Sequence, residues 1–481
     1  MKNVLKNNKI YFWSLGLIFV LAILLRLDLY IFNRSFWFDE AALAINVLDK
    51  GFFYLFKELS YYQSAPPMFL FETKMLVEIF PLSEFTFRAI PFLVSILTLP
   101  IFYIFSKYFL YSRPARLLAA FLFAINTNLI FYSSEFKPYA LDVFAAIALP
   151  LLILRFKLKS PVFLGFIFAL FTWYSYASGI MAFAYSILLL AFVIKNKKEL
   201  KNFLLFILPQ FLNVFLFALH LGAIENTRFF MAKIWAHGYI LKDFSNFLDL
   251  FFENIYYIFQ PFKMPFGAQA FIFGLICLFG AIFIFKANKI KFWLLTMPYF
   301  ILLLLAYIGS YPYQDRLILF LTPTFLIFFS KFFEYFSKKS ISLVVLGLIF
   351  IFSLYPSYCA QKVMKNLPSQ DRAMFSELKE NYKKGDVIIL NETSLPQYLY
   401  YSRVYGFLAS DVNVEKMYKN SYDYLIFLNS LDKNKNYWFV QSSVKFPNTE
   451  DVRPVIEFFG RDKEKFIRYN KGKTDLFYVG K

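Results

Sequence analysis

Apolar runs long enough to cross a bilayer recur along most of this chain, and that leaves it few folds. In hydrocarbon every backbone N–H and C=O must find its partner inside the protein, so a run of roughly 18 or more apolar residues folds as a spanning helix. About eleven such runs can be marked by length and composition: 11–32, 88–110, 115–133, 138–155, 161–177, 179–195, 202–221, 267–286, 291–310, 315–332 and 340–358. The fifth and sixth are separated only by the turn at Ser178-Gly179. The chain is 59% hydrophobic and only 17% charged, which no soluble core of 481 residues requires.

The net charge of +19 invites a nucleic-acid reading, and its distribution excludes one. Lysine and arginine fall in tight groups between apolar runs: Lys2, Lys6 and Lys9; Lys107, Arg113 and Arg116; Arg155, Lys157 and Lys159; Lys195, Lys197, Lys198 and Lys201; Lys286, Lys289 and Lys291; Lys331, Lys338 and Lys339. These groups occupy alternate loops. By the positive-inside rule they place the N-terminus in the cytoplasm and, after eleven spans, the C-terminus outside. The loops that carry Asp39, Glu135 and Arg316 then fall on the outer side. The first run is expected to stay as a signal-anchor. Cys277 and Cys359 lie in or at the end of expected spans, which argues against a disulfide framework. No Gly-rich phosphate loop is present, which disfavours a nucleotide-driven enzyme or pump.

Two domains are expected: a membrane domain over 1–358 and a small extracytoplasmic α/β domain over 359–481. The first outer loop, 33–87, is too long for a connector. Ala41 to Ile45 and Met68 to Phe71 read as short interfacial amphipathic helices, the second started by Pro66-Pro67. The loop at 222–266, with Trp235, His237, Tyr256 and Tyr257, is long enough to cover a membrane-level cavity. Beyond Pro356 the composition turns polar. A helix is expected over Ser369 to Lys383, stopped by Gly385. Strands are expected at 387–390, 424–427 and 437–440, with a terminal hairpin around Gly472.

Three constellations carry candidate chemistry. In Trp37-Phe38-Asp39-Glu40 two carboxylates follow the first span almost at its exit, where a bare acid is costly and functional by default. Neighbouring helical positions diverge by about 100°, so one of the pair is expected to face a cavity, as a general base or as a metal ligand. The plainer reading is a favourable negative charge at the start of the alanine-rich helix that follows. In Tyr132-Ser133-Ser134-Glu135-Phe136-Lys137-Pro138-Tyr139 an acid and a cation stand two residues apart, against the plainer reading of an interfacial loop with tyrosines. In Tyr313-Gln314-Asp315-Arg316-Leu317 the arginine opens a span. Its planar fork suits phosphate, and the plainer reading is snorkelling beside Asp315. Glu84 and Arg88 are spaced for a local ion pair. His220 and His237, the only histidines, lack metal-ligand spacing.

The order of these pieces resembles the GT-C membrane glycosyltransferases, in the branch of the protein O-mannosyltransferases and lipid A aminoarabinose transferases. The resemblance covers about residues 20–160. It rests on Trp37-Phe38-Asp39-Glu40-Ala41, Ala65-Pro66-Pro67-Met68-Phe69, Ser83-Glu84-Phe85-Thr86-Phe87-Arg88 and Ile125 to Leu141 with its Tyr-Ser-Ser-Glu-Phe-Lys-Pro-Tyr-Ala core. Asp315-Arg316-Leu317 with Leu321-Thr322-Pro323 is similar to a later element of the family. Lys383-Lys384-Gly385-Asp386-Val387-Ile388 is similar to the extracytoplasmic domain of bacterial members.

The resemblance implies transfer of a sugar from a polyprenyl-phosphate carrier to an acceptor hydroxyl outside the plasma membrane. The acceptor would be an envelope glycan, a lipid or a protein. Asp39 would be the catalytic base, Glu40 its positioning neighbour and Glu135 the second acid. Lys137 and Arg316 would hold the carrier phosphate, and Tyr139 and Trp37 would line the substrate cavity. Some relatives use a divalent metal, and no motif here reports one. Lysine at 137 stands where the pattern favours arginine. The rival readings are a lipid or sugar transporter or flippase, which would show discontinuous helices and mid-membrane polar residues in paired halves, and a non-enzymatic envelope assembly protein.

Overall fold

The computed structural model describes residues 2–239, 244–260, 266–336, 357, 359, 362–365, 371–407, 412–415, 421–432, 434–441, 451–461, 465–471 and 474–480. It divides into two compact units. Unit 1 comprises Met1–Phe32, Phe52–Thr73 and Arg88–Met364; unit 2 comprises Asn33–Gly51, Lys74–Phe87 and Lys365–Lys481.

In chain order the helices up to residue 336 are α1 (Lys2–Phe32), α2 (Phe38–Asp49), α3 (Pro67–Ile79), α4 (Glu84–Ser106), α5 (Arg113–Ile125), α6 (Thr127–Tyr132), α7 (Tyr139–Phe156), α8 (Pro161–Tyr174), α9 (Tyr176–Lys195), α10 (Leu200–Ala223), α11 (Glu225–Ile234), α12 (Phe244–Ile258), α13 (Phe266–Ala287), α14 (Lys289–Tyr307) and α15 (Thr322–Phe336). Among the described residues, eight helical segments are long and apolar enough to cross a membrane. Each of the eight falls on one of the expected runs. The run at 161–177 is the shorter helix Pro161–Tyr174, and nearly all of 340–358 lies outside the described residues.

The run at 115–133 is two helices rather than one, because Asn126 interrupts it. Its Oδ1 accepts from the Leu129 N–H at 3.0 Å, and its Nδ2 donates to the Ile258 carbonyl at 2.8 Å. An asparagine that can cap the next turn and pin the break to another helix makes a stop affordable inside an apolar stretch. Arg26 closes the other side of this break. It is fully buried in α1, and its Nη1 donates to the carbonyls of Ala22 at 3.1 Å and Ala124 at 3.0 Å. A cation among the last carbonyls of α5 meets the negative end of that helix.

Unit 2 holds a five-stranded sheet of order β2-β1-β3-β5-β4, with β1 Val387–Asn391, β2 Val412–Glu415, β3 Tyr437–Gln441, β4 Lys465–Lys471 and β5 Thr474–Gly480. The strand β1 runs parallel to β2 and β3, and β5 runs antiparallel to β3 and β4. Helices α16 (Asp371–Asn381), α17 (Leu395–Tyr405), α18 (Ser421–Ser430) and α19 (Arg453–Gly460) accompany it. Val387, Ile389, Tyr437, Phe439, Phe477 and Val479 from the sheet bury against Tyr424, Leu428 and Ile456 of the helices.

The strands expected at 387–390 and 437–440 are present. The β4–β5 pairing runs to Lys471↔Thr474, so the hairpin forms, its tip at Gly472 lying outside the described residues. The strand expected at 424–427 is instead the middle of α18: Tyr424 and Leu428, four residues apart, share its buried face. An apolar run of four residues does not distinguish the two structures by itself.

Candidate functional site

Trp37, Asp39 and Glu40 belong to unit 2, whereas Glu135, Lys137, Tyr139 and Arg316 belong to unit 1. In unit 2, Trp37 is the extended residue before α2, and Ala41 N–H closes the first turn on the Trp37 carbonyl at 2.9 Å. Asp39 and Glu40 therefore occupy that first turn, where the helix dipole favours negative charge. Asp39 is half-buried and Glu40 is 1% exposed. The helix expected to float at the interface is buried without a break from Glu40 to Val47. Its alanines explain this, since small side chains on several faces let neighbours close in all round.

In unit 1 the acid–cation turn is built from α6 and α7. Asn128 Nδ2 donates to the Tyr257 carbonyl at 2.6 Å, which with the Asn126 bond fixes α6 to the end of α12. Ser133 Oγ folds back on the Ile130 carbonyl at 2.6 Å and ends the helix. Pro138, which has no N–H to satisfy, leads into α7. Between them the chain turns tightly, Lys137 N–H donating to the Glu135 carbonyl at 2.7 Å. The whole segment is inside: Ser133, Ser134, Glu135, Phe136 and Lys137 are all buried. The segment is therefore packed within unit 1. Phe136 anchors the turn against Phe69, their rings 5.4 Å apart.

Lys137 Nζ donates to Gln63 Oε1 at 3.0 Å, and both residues are buried. Gln63 was not singled out in the sequence, and no local pattern marks it. Its loop is itself tied down: Tyr176 Oη donates to the Ala65 carbonyl at 2.9 Å and lies 2.9 Å from His220 Nε2, while His220 Nδ1 donates to the Phe56 carbonyl at 2.8 Å. His220 thus has a structural part, as its lack of ligand spacing suggests.

Arg316 follows Asp315, which holds φ at 47°, a left-handed turn that aspartate tolerates. The guanidinium lies over the Tyr139 ring at 5.8 Å and over the Trp235 indole at 5.2 Å, within cation–π range. The segment before it is fixed from two sides, with Tyr313 N–H on the Gly238 carbonyl at 2.7 Å and Asn254 Nδ2 on the Tyr313 carbonyl at 2.9 Å. The buried Tyr132 ring meets Tyr139 edge-on at 4.9 Å. Unit 1 therefore brings Tyr132, Tyr139 and Arg316 together, and Glu135 and Lys137 stand on the buried turn that joins Tyr132 to Tyr139.

Asp142 was also missed. It is buried in the first turn of α7. Its signal was available, since a carboxylate inside an apolar run is a functional candidate by default. Among the described residues no group of three or more His, Cys, Asp or Glu side chains converges to hold a metal ion.

The sequence matches no family model and no curated protein. The structure does have neighbours. It superposes on ArnT from Cupriavidus metallidurans in the apo state with a TM-score of 0.56 and 10% identity, covering 96% of this chain and 97% of that one. Against the same protein bound to undecaprenyl phosphate the TM-score is 0.55 at 8% identity, with the same coverage. Against the apo oligosaccharyltransferase of Archaeoglobus fulgidus it is 0.51 at 13% identity, covering 90% of this chain and 70% of that one. The chain therefore has the fold of the GT-C membrane glycosyltransferases and is a multi-pass membrane protein.

Proposed function

We propose that this chain is a membrane glycosyltransferase that moves a sugar from a polyprenyl-phosphate carrier to an acceptor hydroxyl on the outer face of the membrane. The observation that carries the reading is the buried turn Glu135-Phe136-Lys137, with Arg316 laid on Tyr139 beside it, in a fold matched end to end by a protein crystallised with undecaprenyl phosphate. The acceptor is assigned to the cell envelope, as a glycan, lipid or protein.

The chemistry follows from charge. The bond between the sugar C1 and the carrier phosphate oxygen breaks, and its electron pair leaves with the phosphate. Lys137 and Arg316 are cations preset for that growing charge, and in a partly dehydrated site such groups act far more strongly than in water. Their different holders fit different tasks. Lysine 137 offers a point charge on a buried amine, and Arg316 a planar fork fixed between two rings. The acceptor oxygen attacks C1 from the opposite side, inverting the centre, and its proton passes to a carboxylate base. Asp39 takes that role: it is half-buried, whereas Glu40 beside it is enclosed. Glu135 orients the acceptor. Trp37 and Tyr139 supply rings for the sugar. By the charge distribution of the loops, α2 and the sheet unit lie outside the membrane and the chain resides in the plasma membrane.

The test is sugar transfer in native membranes with radiolabelled polyprenyl-phosphate sugars and host envelope acceptors, comparing wild type with Asp39→Asn at equal abundance. Transfer that collapses by about 10²-fold or more in the variant, the scale of general base catalysis, supports the reading. Equal transfer in both removes Asp39 as the base. No transfer by wild type across the available carrier-linked sugars supports the transporter or assembly readings instead.

A further inference from the structure

The segment that leads into Asp39 is gripped by side chains arriving more than 300 residues later in sequence, all within unit 2. We propose that Tyr401, Arg372 and Gln397 are positioning residues for Asp39, and that the α/β unit serves as the mount that fixes this acid for proton transfer. The proposal rests on the transferase reading given above.

The grip is largely on backbone, at every second peptide. Arg372 Nη2 donates to the Asn33 carbonyl at 2.7 Å, and the Arg372 N–H donates to Ser35 Oγ at 3.2 Å. Tyr401 Oη accepts from the Phe36 N–H at 2.8 Å. Gln397, with its amide in the orientation that satisfies both ends, accepts from the Phe38 N–H at 3.3 Å and donates to the Thr393 carbonyl at 2.8 Å. Phe38 opens α2, and its N–H is one of the donors that a helix start leaves without an internal partner. Trp37 contributes no side-chain cap, so Gln397 from α17 supplies it. Asp39 is the very next residue.

These holders are tied to one another. Glu84 Oε1 accepts from Arg372 Nε at 2.9 Å, from Arg372 Nη2 at 2.7 Å and from Tyr401 Oη at 2.9 Å. Tyr405 Oη donates to the Arg372 carbonyl at 3.1 Å. Phe36, fully buried, sits between the rings of Tyr400 at 4.7 Å and Phe87 at 5.6 Å. The far end of α2 is held as well, through Arg403 on Asp49 at 2.7 Å and Lys74 Nζ on the Val47 carbonyl at 3.0 Å. Burial, and then the Glu84 charge, push the Tyr401 phenol well above its ordinary value. Tyr401 therefore keeps its proton for Glu84 through the physiological range and presents its lone pair to Phe36.

A plain fold contact would need no such arrangement, since the buried Phe36 ring already staples the segment. What three side chains on alternate peptides from Asn33 to Phe38 add is a fixed direction for the first turn of α2. Proton transfer is sensitive to this, because a misplacement of about 1 Å can cost on the order of 10² in rate.

The test is Tyr401→Phe, which removes one oxygen and keeps the ring in its stack with Phe375 at 5.7 Å. Two readouts are taken on the full-length protein in nanodiscs. In amide hydrogen exchange, residues 36–40 are expected to exchange about tenfold or more faster while β1, β3 and β5 keep their protection, because the loss is local. In sugar transfer, kcat is expected to fall about tenfold with the KM for the donor within twofold, the signature of a reacting group displaced while the carrier still binds. Unchanged exchange at 36–40 overturns the grip. Faster exchange with unchanged kcat overturns the positioning role and leaves a structural contact. Absence of transfer by wild type overturns the transferase reading and the catalytic half of this one, while the exchange result still judges the grip.

Discussion

Gln63→Glu is the substitution that asks most directly what Lys137 is for. In the native protein Gln63 Oε1 accepts from Lys137 Nζ at 3.0 Å, both side chains being buried. A neutral amide orients the ammonium and brings no charge of its own. A carboxylate in the same place would bring a negative charge against it at almost no change in volume. At an effective dielectric of 20 a unit charge pair 3.0 Å apart is attracted by about 5.5 kcal/mol. A donor phosphate must compete with that pair, and losing even half of the attraction is about a hundredfold in affinity, at about 1.4 kcal/mol per decade. The sign is opposite to what a structural view predicts, since a new buried ion pair should if anything hold this loop more firmly. The assay is donor-dependent sugar transfer with protein abundance and thermal midpoint measured in parallel. The donor KM is expected to rise about a hundredfold while the thermal midpoint is kept or raised. A Gln63→Glu protein that binds and uses donor like wild type refutes the assignment of the phosphate charge to Lys137.

Two further substitutions probe other parts of the molecule. Arg316→Lys keeps the charge but loses the planar group laid over Tyr139 and Trp235; kcat/KM for transfer is expected to fall about tenfold, the worth of one lost stacked, bidentate contact, and a fully active lysine variant shows that charge alone suffices there. Gly280→Ala drives a Cβ into the Phe328 carbonyl oxygen, so α13 and α15 must separate; the thermal midpoint in detergent is expected to drop by several degrees for the roughly 1–3 kcal/mol of overpacking, and an unchanged midpoint shows that this contact is looser than the geometry says.

What the sequence disclosed and what it hid differ by range. Apolar length is a local quantity, so each of the eight long spans lies on a run visible in the chain. The break at Asn126 was hidden because its justification is the Ile258 carbonyl, 132 residues away. The same holds for α18: Tyr424 to Phe427 is apolar and aromatic, and only the sheet it packs against decides that it is helical. Within the candidate site, the charged members were legible because a charge at a membrane edge stands out in an apolar chain. Their holders were not. Gln63, Gln397 and Tyr401 are ordinary polar residues in ordinary surroundings, and their meaning is a partner 74 residues away for Gln63 and more than 300 for the other two. Glu84, whose spacing to Arg88 suggested a local pair, bonds in unit 2 to Arg372, 288 residues on.

This division has a chemical logic. A group that touches substrate must carry a particular charge or proton, so its identity is constrained and it is conspicuous in a single sequence. A group that positions it need only offer a donor or an acceptor at one point, and many residue types can do so. The Phe36 and Phe38 amides illustrate the second case, one taken by a phenol and the other by a carboxamide. Substitution of a positioning residue should therefore be rescued by any side chain that restores the hydrogen bond. Substitution of a reacting one should not, even by its isostere. Asp39→Asn and Tyr401→Phe stand on opposite sides of that line: each changes a single functional group, the first removing a charge, the second only a hydroxyl. The proposed roles require the first loss to be much the larger, and a Tyr401→Phe defect as deep as that of Asp39→Asn would mean that the phenol takes part in the reaction itself.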